Sequence, residues 1–306
     1  MKIVTSGLAF LDIDAYAGIV AYAELLQSQG NETVAYSSAT MNGSIPPTVR
    51  SWDVPLLTTY TPVENDTFIV IDVSEPHYLD KIVNVDQVEE VIDHHLGNEA
   101  FWEKRIGSKA TIEFVGAACT QVYEKWAKTG FADKMSRTSA RLLISGILDN
   151  TLNFKAKVTT IRDHIAYNEL MKIAELPTDW TARYFKECED AIFSDIQESL
   201  INDTKIMQFP NLSLNELLVG QLVIWDAERA ISEYRDIIES TMSRKSNEWF
   251  VNIVSIKDGT SLLLASGSIV KSWLEETLSV EFKGGLAQAD RLWLRKEIMK
   301  QSMSLA

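Results

Sequence analysis

Asp93, His94 and His95 stand consecutively in VEEVIDHHLGNE, residues 88–99, at the close of an apolar run, and this one dipeptide holds half of the chain's four histidines. Three other acidic stations share that setting. Asp12 and Asp14 follow the apolar start KIVTSGLAF, Asp72 closes FIVID, and Asp149 closes RLLISGILD, ahead of Asn150, Thr151 and Asn153. Taken singly, an aspartate after a strand is a turn residue or a helix cap, and a lone buried histidine is a hydrogen-bonded core residue. Gathered at one rim, like charges are costly unless cations neutralise them. A carboxylate and imidazole set without thiolate suits Mn²⁺, or less specifically Mg²⁺, Co²⁺ or Zn²⁺. Two ions about 3.5–4 Å apart can bridge a water, lower its pKa and clamp a phosphoryl group for in-line attack. The chemistry predicted is metal-assisted hydrolysis at phosphorus, with one or two ions.

For these stations to meet, the elements carrying them must end on one side. KIVTSGLAF reads as a buried strand and AYAGIVAYAELLQSQG as a helix stopped at Gly30. ETVAYSS, TFIVIDVS and QVEEVIDHH read as further strands, with the Pro-rich connection SIPPTVRSWDVPLLTTYTPVEND between the first two. TIEFVGAACTQVYEKWAKTG reads as a strand end running into a helix that stops at Gly130. SRTSARLLISGILDNTLNF reads as one helix capped by Ser136 or Thr138. Alternating strands and helices predict an α/β fold, a mainly parallel sheet flanked by helices. Ligands then gather outside the carboxyl ends of the strands. From about residue 165 the pattern turns helical. It is followed by LLVGQLVIWD, an amphipathic helix over 227–245, a hairpin turning at Asp258-Gly259 and a helical C-terminus. The predicted domains are 1–195 and a smaller α+β domain, 196–306.

The chain has 29 basic against 43 acidic residues in 306, a formal charge of −14, which repels phosphate backbones and disfavours long nucleic acids as partners. Two cysteines, Cys119 and Cys188, leave no disulfide framework and no Cys-rich metal site. Asp12 and Asp14 interrupt the apolar N-terminus and spoil a signal-peptide core. No run of about 18 uncharged apolar residues suggests a membrane span. The expectation is a cytoplasmic protein acting on a small phosphorylated substrate.

Read in order, these motifs resemble the DHH phosphoesterase superfamily, in the branch of manganese-dependent (family II) inorganic pyrophosphatases and exopolyphosphatase/prune-like proteins. DID at 12–14, IVID ending at Asp72, IDHH at 92–95 and GILDNTLNFKAKVTT at 146–160 carry the resemblance. It implies that Asp14, Asp72, His94 and Asp149 hold one metal and that Asp12 and Asp72 contribute to a second. His95 would touch the substrate phosphate or act as an acid, and Asp93 would orient the imidazoles. Asp12, Asp93 and His95 are thus the catalytic candidates. One departure stands out: Leu8 occupies the place of the histidine with which the pyrophosphatases begin their first motif.

The resemblance also implies a second domain that closes over the site and delivers cations. INDTKIMQF nominates Lys205 and RLWLRKEIMKQ nominates Arg295 and Lys296, with Leu294 where that element has a serine. A homodimer is the assembly common in this family. The family's nuclease-like branch carries Gly-Gly-His in its C-terminal domain, and here Gly284-Gly285 is followed by Leu286. The expected activity is cleavage of a phosphoanhydride in pyrophosphate or short polyphosphate. The alternatives are a phosphodiesterase for small nucleotides and a catalytically impaired phosphate-binding relative.

Overall fold

The computed structural model describes residues 1–209, 212–214 and 216–304. In the first part, short apolar runs become strands: β1 (Lys2–Thr5), β2 (Thr33–Tyr36), β3 (Leu56–Leu57), β4 (Thr67–Ile71), β5 (Val88–Asp93) and β6 (Ala110–Ile112). They form one sheet in the order β3-β2-β1-β4-β5-β6, and every neighbouring pair is parallel. From β1 the chain first winds outward to β3. It then returns to the other side of β1 and continues to β6. The direction of winding therefore reverses between β1 and β4. A crevice opens at such a switch point, outside the carboxyl ends of the two strands.

The helices of this part are α1 (Ile13–Ser28), the single turn α2 (Pro47–Arg50), α3 (Glu99–Ile106), α4 (Ala118–Thr129), α5 (Arg137–Asn150) and α6 (Ile161–Ala174). The run AYAGIVAYAELL lacks a polar face because α1 is buried almost all round, packed against α4 and α5. Gly130 ends α4 in the left-handed region, and the Ser136 hydroxyl caps α5, as predicted. On the sheet, Ile3, Phe68, Val70, Val91 and the fully buried Trp102 share one core.

Two local expectations are corrected. The Pro-rich connection contains α2 and the short pairing strand β3. The helix read through Asn153 and Phe154 stops at Asn150, because Leu152, Asn153 and Phe154 take φ of +48°, +54° and +63°. Each such residue costs about 1–2 kcal/mol without a glycine. Local bonds offset part of that cost: the Asn153 N–H donates to Leu148 O (2.8 Å), and the Phe154 N–H donates to the Thr151 hydroxyl (3.1 Å).

The chain divides into Met1–Tyr184 and Phe185–Ala306, inside α7 (Trp180–Ser194) and ahead of the boundary read near residue 195. The second unit adds α8 (Ile196–Asn202), β7 (Thr204–Met207), β8 (Leu217–Ile224), α9 (Ala227–Ser243), β9 (Trp249–Ser255), β10 (Thr260–Ala265), α10 (Ser268–Leu278), β11 (Leu286–Ala289) and α11 (Arg295–Ser304). Its sheet runs β11-β10-β9-β8-β7, with only β8 and β9 parallel. Successive residues feed opposite faces, as pleating requires. Leu218, Val251, Leu262 and Leu264 pack with α8 and α9, whereas Val219, Phe250 and Leu263 pack with α10 and α11. The hairpin turns at Gly259, with φ +72°. β11 falls in a stretch read as helical. Its Gly-Gly start, with φ of +58° and +84°, breaks the helix and lets LAQA pair with β10.

Candidate metal centre

Asp12 and Asp14 leave β1, and Asp72 leaves β4, so they flank the switch point. Asp12 caps α1: its Oδ1 accepts the Ala15 N–H at 2.9 Å. Asp14 is fully buried, and its carboxylate reaches the N-terminus of α4. Oδ2 accepts the Ala118 N–H (2.7 Å) and Oδ1 the Cys119 N–H (2.8 Å), while the Asn150 amide donates a third bond to Oδ2. This charge is favourably placed at the positive end of the α4 dipole. Close packing brings in the fourth station. A Cβ on Gly146 would lie 2.5 Å from Cys119 Sγ and 3.2 Å from Asp14 Cα, so only glycine lets α5 approach this closely. Asp149, nearly one turn later, then faces the same region, and its Oδ1 accepts from the Tyr184 hydroxyl at 3.0 Å.

Asp72 has φ +63°, a conformation aspartate tolerates better than most residues. Its N–H still donates to Ile92 O (2.8 Å), so the chain leaves the sheet only after this bond and turns its carboxylate over the end of β5. There it meets both imidazoles. His94 Nε2 lies 3.3 Å and His95 Nδ1 3.7 Å from Asp72 Oδ1, and ligand atoms of the three residues lie within 4.8 Å of one another. Asp14 Oδ2 is 3.8 Å from His94 Nε2. The adjacent histidines thus flank one carboxylate oxygen, their rings 4.3 Å apart and 66° inclined.

Each imidazole is held from behind. His94 Nδ1 is 3.1 Å from Val115 O, and a carbonyl can only accept, so Nδ1 carries the proton and a neutral ring presents a bare Nε2 to the aspartates. His95 Nδ1 is 2.9 Å from Asp93 Oδ1, which also accepts the His95 N–H at 3.0 Å. Asp93 therefore anchors His95, not His94, and leaves the 64 % exposed His95 ring facing outward.

The crowding shows in the proton affinities. Burial, then the charges of Asp14 and Asp12, push Asp72 up to about 8, against the pull of His94. Burial, helped by Asp12 and Asp14, pushes Asp149 up to about 7 despite the Tyr184 hydrogen bond. Asp12 is raised as well, chiefly by burial, with the Ala15 N–H opposing. For His94, burial disfavours the charged ring, but Asp72 and then Asp14 outweigh it and raise the ring to about 10. His95 is raised by its bond to Asp93. Burial pushes Asp93 up, but His95 outweighs it and holds the carboxyl below its usual range.

The donor set fits a divalent cation. Asp72 Oδ1 is buried with no hydrogen-bond partner and faces His94 Nε2, and two electron-rich atoms this close need a positive charge between them. A proton on Nε2 supplies it in one state, and a metal ion can take its place. The atoms offered are oxygen and nitrogen only. Cys119 turns its sulfur to the Asp14 backbone carbonyl at 3.5 Å. Leu8, 38 % exposed, adds no donor.

The second unit's predicted cations have their own surroundings. Lys205 is exposed on β7 and Lys296 is exposed on α11. Arg295 is engaged within its unit, Nη2 2.5 Å from Asp203 Oδ1 and Nη1 donating to Asp203 O at 2.7 Å. Tyr184 and the Val115 carbonyl carry no motif signal and were legible only from the structure, whereas Asn150 lies inside the motif at 146–160.

The family description "DHH family, N-terminal domain" matches residues 2–147. That stretch, just under half of the chain, is similar to the N-terminal domain of the DHH family. Among similar curated proteins, a Bacillus licheniformis protein named "probable manganese-dependent inorganic pyrophosphatase" is 25 % identical over 305 residues, covering 97 % of this chain and 96 % of that one. The Bacillus subtilis manganese-dependent inorganic pyrophosphatase is 24 % identical, over 87 % of this chain and 86 % of its own. A Thermotoga maritima relative with the former name is 27 % identical over 75 % of this chain, and the match spans only 41 % of its length. The fold is shared with a Methanococcus jannaschii "putative family II inorganic pyrophosphatase", with a TM-score of 0.61 at 18 % identity over 99 % of both chains. An exopolyphosphatase-related protein from Bacteroides fragilis gives a TM-score of 0.53 at 15 % identity, over 99 % of this chain and 90 % of that one. Among the described residues, no helix is long and apolar enough to cross a membrane.

Proposed function

We propose that this chain is a metal-dependent phosphohydrolase of the DHH family that cleaves phosphoanhydride bonds of pyrophosphate or short polyphosphate. The observation that carries the reading is the convergence of Asp72, His94 and His95 at the switch point of a parallel sheet, with a buried Asp72 oxygen 3.3 Å from His94 Nε2. The relatives' printed names support Mn²⁺ as the ion, with Mg²⁺ or Co²⁺ as substitutes. A bound divalent ion acidifies water and neutralises phosphoryl oxygens.

The chain's own residues do the rest. Asp14, Asp72, His94 and Asp149 would hold one ion, and Asp12 and Asp72 would contribute to a second. Asp93 holds the His95 ring so that its Nε2 points outward as a donor, able to bind a phosphoryl oxygen and pass a proton to the departing phosphate. Lys205, Arg295 and Lys296 of the second unit are the cations proposed for the substrate's remaining charge. The reading includes a cytoplasmic setting, no long nucleic acid or membrane as partner, and a homodimer.

A second reading keeps the same site but takes a small nucleotide as substrate. It is favoured by Phe10 and Phe114, each 57 % exposed on the loops that follow β1 and β6 at the same rim, where bases could stack. With Mn²⁺ present, phosphate release is measured from pyrophosphate and tripolyphosphate, and conversion of a cyclic dinucleotide to linear nucleotides is followed by chromatography, with Asp149→Asn as the blank. Release from the first two, lost in the variant, supports the first reading. Cleavage of the dinucleotide alone selects the second. Full activity in Asp149→Asn would sink both.

A further inference from the structure

We infer that Asp163 is a positioning residue for His94, acting through the single peptide group between Val115 and Gly116. The inference rests on the metal reading above. Val115 O accepts from His94 Nδ1 at 3.1 Å, and the N–H on the other side of the same peptide, that of Gly116, donates to Asp163 Oδ2 at 3.1 Å. Asp163, Val115 and Gly116 are all buried, Asp163 completely. A carboxylate that orients a metal-binding imidazole usually touches the ring itself. Here one amide is inserted between them. Amide resonance couples its two ends, so a negative charge on the N–H side makes the carbonyl a stronger acceptor. In a water-excluded chain such polarisation strengthens each bond by about 10–30 %.

The surroundings single out this peptide. Asp163 Oδ1 accepts from the Thr120 hydroxyl (2.6 Å), and Oδ2 accepts from the Thr160 N–H (2.7 Å) and the Thr160 hydroxyl (2.8 Å). The capping box of α6 and the first turn of α4 thus hold the carboxylate in place. Gly116 allows the contact, since a Cβ there would lie 2.6 Å from Asp163 Oδ2. Two and three residues on, the Ala118 and Cys119 N–H groups go to Asp14. Residues 115–119 therefore form a strut between two buried carboxylates, one of them at the candidate metal centre. His94, 21 positions before Val115, takes its orientation from the strut.

The test separates charge from shape. In Asp163→Asn the amide oxygen can still accept from Gly116 and Thr160, and the amide N–H₂ can donate to a Thr120 hydroxyl turned to accept. Mn²⁺ binding by calorimetry is expected to weaken about tenfold. The visible absorption of the Co²⁺-loaded protein should shift, because the His94 donor has changed. Thr120→Val removes a bond to the same carboxylate without touching the peptide, and should bind Mn²⁺ within about twofold of wild type. Thr160→Ala removes a donor competing for Oδ2, leaves more charge on the Gly116 N–H, and should bind Mn²⁺ slightly tighter although it loses a helix cap. That opposite sign is not what a structural defect produces, and it serves if Asp163→Asn fails to fold. Wild-type affinity in Asp163→Asn, equal losses in Asp163→Asn and Thr120→Val, or weaker binding in Thr160→Ala would overturn the relay. A wild-type chain that binds no Mn²⁺ would instead overturn the metal reading beneath it.

Discussion

Replacing Asp72 by asparagine should make the metal-free protein more stable while removing its response to metal. The carboxyl sits 6 % exposed among Asp12, Asp14 and Asp149, and its pKa rises from 3.8 to about 8. At about 1.4 kcal/mol per tenfold, keeping it ionised at high pH costs on the order of 6 kcal/mol. That shift already counts the pull of His94, and the buried asparagine amide costs about 1–3 kcal/mol of its own, so the expected net gain is at least about 2 kcal/mol. The sign follows from linkage. A carboxyl whose folded pKa lies above its unfolded value loses stability as pH rises from about 4 to about 8. The advantage of Asp72→Asn is therefore larger at pH 8.5 than at pH 5. The backbone raises no objection, because asparagine accepts φ near +63° as readily as aspartate. Scanning calorimetry in chelator should show the transition of the first unit about 4–8 °C higher for the variant. Adding Mn²⁺ at about 100 times its Kd should stabilise wild type by about 2.7 kcal/mol and leave the variant nearly unmoved. A variant less stable than wild type in chelator at pH 8.5, or one keeping the wild-type Mn²⁺ shift, would refute the view that this oxygen is held in a repulsive cluster for a cation.

Three further outcomes follow from the same geometry. Asp93→Asn removes the charge behind His95 but touches neither His94 nor Asp72; turnover should fall about 10–100-fold with Mn²⁺ affinity nearly intact, seen by pairing steady-state kinetics with calorimetry. Tyr184→Phe deletes the hydroxyl that donates to Ser44 O at 2.7 Å and Asp149 Oδ1 at 3.0 Å, and should cost about 1–3 kcal/mol in urea unfolding. Mn²⁺ uptake should release protons, since Asp72 at about 8, Asp149 at about 7 and His94 at about 10 must all give them up, so affinity should climb from pH 6 to pH 9; calorimetry in buffers of different ionisation enthalpy counts them, and a flat profile would contradict the assignment.

The stations of the site were legible in the sequence because each lies where an apolar run meets an acid: Asp72 and Asp93 at strand ends, Asp12 and Asp14 at the start of α1, and Asp149 at the end of α5. Glycine stops and the Ser136 cap were legible for the same reason: their chemistry is local. What escaped were long-range or strained features. That β1 lies centrally, with winding reversed at β4, depends on pairings no local pattern encodes. The left-handed turn at Leu152–Phe154 contradicts the helical preference of its own residues and persists because Thr151 and the last carbonyls of α5 hold it. Tyr184 reaches Asp149 across 35 positions, with no residue-type signal to announce it. The division into units inside α7 left no trace in composition, since a continuous helix carries the chain from one to the next.

Leu8 then acquires a physical meaning beyond a missing ligand. On its side of the centre, Asp12 is occupied in capping α1, Asp14 already accepts three N–H donors, and Leu8 contributes no lone pair. On the other side, Asp72 Oδ1 lies 3.3 Å from His94 Nε2 and 3.7 Å from His95 Nδ1, with only these two rings beside it. Donor atoms are thus concentrated around Asp72 and sparse around Leu8. A cation seated between Asp72 and His94 satisfies the groups left unsatisfied. A second would have to draw on carboxylates already engaged, or on oxygens the substrate brings. On that balance Mn²⁺ titration of the free chain should saturate at one ion per chain, and a second should bind only when a phosphoanhydride analogue is present. Two ions bound equally tightly without substrate would show that Asp12 and Asp14 yield their hydrogen bonds, and that the loss at position 8 is compensated by another residue of the chain.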